Sequence, residues 1–159
     1  MRYKLDKQIL NIKVNVKATL RDAKTGQVKR TEFYHNTIAS VGLNLIAEFL
    51  GNETPTTSAG LSPNFCGVGT GTTTPTVNDT QLQTETKRNL VSSKSSSGNV
   101  AYITGFFGSS DVSGTLTEVG LFINGTSTAN SGILLDRTLI NITKSTQETL
   151  TIDFIITIS

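Results

Sequence analysis

Five side chains stand out as able to do chemistry: His35, Cys66, Asp79, Glu85 and Glu118. A thiol and an imidazole can form a nucleophilic pair across space. Here, however, His35 follows Tyr34 in an alternating run with no nucleophile or metal-ligand partner close in sequence. Cys66 precedes Gly67 in an apolar stretch, the setting of a small core residue. Two carboxyl groups about 5 to 10 Å apart across a cleft can hydrolyse a glycoside. The chain has no Trp and only three Tyr with which to stack sugar rings, so Asp79 and Glu118 read more simply as turn caps or acceptors of backbone N–H groups. The run Gly69-Thr70-Gly71 invites a phosphate-cradle reading. It lacks the Gly-Lys-Ser/Thr ending and the helix that such a loop requires. The expectation is a protein that is not an enzyme and holds no cofactor and no metal.

Three of these residues, Cys66, Asp79 and Glu85, lie on one stretch, 65–85, around which the chain is organised. A short buried strand, Phe65 to Val68, breaks into a Thr- and Gly-rich loop, where Gly69 and Gly71 offer backbone freedom and Pro75 fixes a bend. Asn78-Asp79 supplies turn chemistry, and Leu82 is an apolar anchor where the chain re-enters the body. Phe65–Val68, Leu82 and Leu121–Phe122 are expected to share one buried core.

Before this stretch, Leu10, Ile12, Val14, Val16, Ala18 and Leu20 alternate with polar residues, the period of a strand with one wet face. Asp22 to Gly26 forms a turn, and residues 27–36 return as a second strand. This hairpin, residues 1–36, carries Lys13, Lys17, Arg21, Lys24, Lys29 and Arg30. It is read as an assembly arm extending from the body, with its basic residues either meeting an acidic partner or keeping a strand edge soluble. Ser40 can cap a helix whose residues Val41, Leu45, Ile46, Phe49 and Leu50 fall on one face, and Gly51 can end it. That helix should lie across the end or open face of a sheet. Residues 52–63 form a Thr/Ser/Gly/Pro loop.

Beyond the central loop, 87–93 and 100–107 read as a hairpin, followed by strands at 116–123, 133–142 and 148–158. Phe106 and Phe107 are adjacent, so they point to opposite faces, and at least one can meet a neighbouring layer or partner. Gly120 inside a strand marks a bulge or a close backbone approach. Ile155 adds an apolar residue to the otherwise polar face of the last strand, which should therefore pair in mid-sheet or against another subunit.

Composition agrees with an all-β class. Of 159 residues, 16% are charged and 36% hydrophobic, with Thr, Ser, Asn and Gly filling the rest. A net charge of +2 gives no strong pull toward nucleic acid or anionic lipid. One cysteine excludes an internal disulfide. The N-terminus carries no apolar signal core and no run reaches membrane-spanning length, so synthesis in a cytoplasm is expected.

Two segments carry a resemblance. One is Gly42-Leu43-Asn44-Leu45-Ile46, then Gly67-Val68-Gly69-Thr70-Gly71-Thr72-Thr73-Thr74-Pro75, leading to Asp79-Thr80-Gln81-Leu82 and Glu85. The other is Leu116-Thr117-Glu118-Val119-Gly120-Leu121-Phe122, followed by the final alternating strand. Together, over residues 37–159, they resemble small virion structural proteins of tailed bacteriophages, of the tail-fibre, collar or head-decoration type. The resemblance implies a β-sandwich of jelly-roll type with one packed helix, made in a bacterial cytoplasm and built into the virion. Its expected partners are copies of itself and a capsid or tail protein. Candidate interface residues are Lys13, Lys17, Arg21, Lys29, Arg30, Phe106, Phe107 and Ile155. A host-surface glycan-binding module is the second reading, with residues 52–63, 70–80 and 124–132 as its tip.

Overall fold

The computed structural model describes residues 11–51 and 62–159. Nine antiparallel strands and one helix follow in the order β1 (Ile12–Asp22), β2 (Val28–His35), β3 (Thr37–Ile38), α1 (Ser40–Leu50), β4 (Pro63–Gly69), β5 (Glu85–Ser97), β6 (Val100–Phe107), β7 (Gly114–Ile123), β8 (Ile133–Lys144) and β9 (Glu148–Ile158). They form one sheet ordered β2-β1-β9-β6-β5-β4-β7-β8-β3, curled until it nearly closes into a barrel. The expected all-β class is therefore the observed one, and the two halves of the sandwich are continuous. Strand β5 joins them: its first residues pair with β4 and its later ones with β6. Closure comes from the chain itself, which leaves β2 at His35, bends at Asn36, and pairs Thr37 and Ile38 with Arg137 and Asp136 on the other edge.

The alternation of the first strand is satisfied inside this barrel. Val14, Val16, Ala18 and Leu20 are buried with Leu150, Ile152 and Phe154 of β9, and β1 pairs with β9 at every position from Ile12 to Asp22. The hairpin expected to extend as an arm is thus part of the barrel wall, because its apolar face is the one that fills the core. The last strand lies between β1 and β6, in mid-sheet as its pattern required.

Helix α1 spans the residues expected of it. Its cap falls one residue earlier than Ser40: the Ala39 carbonyl accepts the Gly42 and Leu43 N–H groups. The helix sits on β8 so closely that a Cβ on Gly42 would lie 3.0 Å from the Leu135 Cα. It does not cover the outer face of β9. Turn chemistry reads correctly at Gly26, which has φ 72°. The β5–β6 turn is tighter than expected, since Ser95, Ser96 and Ser97 extend the strand and only Gly98 and Asn99 turn.

The core has two layers. Cys66, Val68, Val119 and Leu121 face the barrel interior, whereas Phe65, Leu82, Phe122, Leu134 and Ala39 form a second cluster on the outside of the β4–β7–β8 wall. The single core expected of these residues is divided because strand neighbours alternate faces.

Candidate functional site

The two motifs meet on the outer wall. Glu118 points out from β7 beneath the loop 70–84 and is completely buried. Its carboxylate accepts the backbone N–H groups of Gly71 (3.0 Å), Gln83 (2.9 Å) and Thr84 (2.6 Å). It also accepts Arg137 Nε at 2.9 Å. One side chain thereby holds both ends of the loop. Arg137, 3% exposed, extends the network by donating to Asp79 at 2.7 Å and to the carbonyl and hydroxyl of Thr73. Burial acts to raise the Asp79 pKa, but hydrogen bonds from Arg137 and Thr76 hold it below the usual carboxylate value.

The glycines are required by space. Neither Gly69 nor Gly71 has positive φ. A Cβ on Gly71 would approach Glu118 Oε1 to 2.5 Å, and one on Gly69 would meet the Thr84 carbonyl at 2.2 Å. The backbone freedom expected of them is not used. Gly120 fits the expected close approach, since a Cβ there would sit 2.9 Å from Leu82 and 3.0 Å from the Asp136 carbonyl.

A second clamp stands beside the first. Arg88 and Glu85 form a buried bidentate pair at 2.5 and 2.8 Å, with the guanidinium 4.3 Å from the centre of the Phe122 ring. Arg88 donates to the carbonyls of Thr126 and Ser131, while Glu85 accepts the Asn130 N–H at 2.7 Å. The loop 124–132 is thus fastened as firmly as its neighbour, and Asn130 ties the two by accepting the Leu82 N–H. Sequence reading named Glu85 and Glu118 but missed Arg88 and Arg137. For Arg137 the available signal was a charged residue within the largely apolar run 133–142; the polar strand β5 offered none for Arg88.

Asp79, Glu85 and Glu118 are therefore committed to loop anchoring, with Glu85 and Glu118 sealed from solvent. Cys66 and His35 are not brought together: Cys66 is fully buried on β4, and His35 is exposed on β2. Burial, helped by the negative charges of Asp136 and Glu85, pushes the thiol pKa up and keeps it protonated.

The expected interface residues lie mostly on the outer face of the β2-β1-β9-β6 half. Tyr102, Ile155, Asn15 and His35 form one cross-strand row, and Thr104, Asp153, Lys17 and Phe33 the next. Phe33, Tyr102 and Phe106 are exposed and Ile155 is half-buried. Phe107 is fully buried in the barrel and cannot contribute to a surface. Much of the basic charge is already paired: Lys17 with Asp153, Lys29 with Asp22 and Glu148, and Arg30 with Glu32. Arg21 donates to the Gly26 carbonyl. That leaves less free positive charge on this half for an acidic docking surface. Residues 52–61 of the expected recognition tip lie outside the described residues.

Inside the barrel, Asp136 shares the face of its partner Leu121 and has no exposure. Asn36 and Thr138 stand near enough to ease its charge, yet neither closes a hydrogen bond. Burial pushes its carboxyl up to about 7. Among the described residues, no group of His, Cys, Asp and Glu is arranged to hold a metal ion.

No family model, curated protein or solved structure matches this chain.

Proposed function

We propose that this chain is a non-enzymatic virion structural protein of a tailed bacteriophage, serving as a capsid decoration, collar or tail-associated connector. It works by self-association and by binding another virion protein. The observation that best supports this reading is the use made of the two motif segments. Their polar residues bind one another, through Glu118, Arg137, Asp79, Glu85 and Arg88, and hold two rim loops against the barrel. A part repeated by symmetry needs surfaces of fixed shape, because many weak contacts sum only where each copy presents the same geometry. Mass spectrometry of purified particles, followed by placing the subunit in an electron-microscopy map, tests the proposal. The chain should be found at a fixed position in the particle; intact particles without it would overturn the reading.

A second reading rests on a specific hollow. The fastened loop 70–84 borders a polar depression of about 350 Å³ lined by Thr73, Asn78, Asp79, Gln81, Gln83 and Arg137. Such a lining suits the hydroxyl groups of a host-surface glycan. Binding on a glycan array, abolished by Gln83→Ala, would favour this reading over the first.

A further inference from the structure

We infer that the chain self-associates by pairing β2 with β2 of a second copy, antiparallel about a two-fold axis at Thr31. The inference rests on the self-association proposed above and gives it a place. Among the described residues, strand β2 ends the sheet and is paired by β1 alone. On its other side, β8 reaches it through a side chain, the Tyr34 hydroxyl accepting the Asn141 N–H at 3.2 Å. Arg30 lies on the same side of the strand as Tyr34, which packs on the core, yet it is exposed, whereas Val28, beyond the bulge at Lys29, shares the outer side of its partner Arg21. Among the described residues, no strand pairs with the far half of β2 on the β8 side. Phe33 there is 70% exposed and Val28 47%. A strand with that edge and those apolar groups is a ready template for another strand.

Symmetry and charge select the occupant and the register. A two-fold axis that continues a sheet stands perpendicular to it, so paired residues point to the same side and their numbers differ by an even amount. An axis at Arg30 or at Glu32 would stack like charges on itself. The axis at Thr31 places Arg30 opposite Glu32 of the copy twice over. Arg30 and Glu32 already pair within one chain. The second copy would complete an alternating ring of two guanidinium and two carboxylate groups. One strand thus carries both halves of its own complement, the condition for an isologous contact.

Four variants and light scattering test this. The native chain should be a dimer. Thr31→Cys should form a disulfide-linked dimer on oxidation, since Cys66 is buried and cannot substitute for it. Arg30→Glu should weaken association by about tenfold or more, and adding Glu32→Arg should restore it, with circular dichroism confirming that both variants fold. Ile155→Lys, on the outer face of β9, should leave the dimer intact. A native monomer overturns the inference. So does a dimer that survives Arg30→Glu, or one that dissociates in Ile155→Lys. The two proposals fail separately: a β2-paired dimer absent from particles would sink only the virion reading, and a monomer built into particles would sink only this one.

Discussion

Glu118 shows what a single carboxylate does when it is surrounded by donors. Three backbone N–H groups and one guanidinium offset the cost of burying its charge, and the loop follows its position. Glu118→Gln keeps the size but replaces one acceptor oxygen by an amide and leaves Arg137 short of its buried partner. Unfolding in urea should show a loss of about 3–5 kcal/mol, the usual result of breaking a buried pair from one side. Asp136 is the opposite case, a buried carboxyl whose neighbours Asn36 and Thr138 only partly offset the cost of its charge. Its folded-state pKa is raised to about 7 from 3.8, so between those values the folded chain holds a proton that the unfolded chain releases. Stability from this group should fall as pH rises from about 4 to about 7 and then level off. Asp136→Asn should flatten that dependence and raise the melting temperature at pH 7.5. A slope unchanged in the variant would assign it to other groups.

At the level of elements, the β4–β7–β8 wall is packed from both sides, and the outer layer is what seats the loop 70–84. Phe122 is fully buried between Leu82, Leu134 and the Arg88 guanidinium. Phe122→Ala should cost about 3–5 kcal/mol by opening a cavity there. Thr73→Ala removes one hydroxyl contact to Arg137 at an exposed site and should cost less than about 1 kcal/mol. Thermal melts of the two variants check the contrast, and near-normal melting of Phe122→Ala would show that the outer layer contributes little to the fold.

For the whole molecule, the decisive fact is that the first hairpin belongs to the barrel. An arm could be removed without harm, but removing residues 1–36 would strip β9 of the partner to which it is joined at every position of β1 and would open the core at Val14, Val16, Ala18 and Leu20. The truncated chain should therefore lose the cooperative melt of the full chain and expose apolar surface to a hydrophobic dye. A truncated chain that still melts cooperatively would restore the picture of two separable parts. Among the described residues, curvature leaves β2 with a strand partner on one side only, which is why self-association is assigned there and not to the aromatic face.

Much of this was written locally. The two-residue period announced β1 and β9, the apolar stripe of 41–50 announced the helix, and Gly26 announced its turn, because strand faces, helix faces and left-handed turns depend on residues within a few positions. Gly69 and Gly71 were legible as special, but the reason was not. The atoms they make room for belong to Gln83, Thr84 and Glu118, which are distant along the chain. The same holds for Arg88 and Arg137, several of whose partners lie in loops brought near only by the fold. Periodicity states which side of a strand is dry and leaves open which strand lies beside it. Pairing of β1 with β9, the bend at Asn36 that closes the barrel, and the meeting of two motifs over Glu118 were decided by packing across the whole chain.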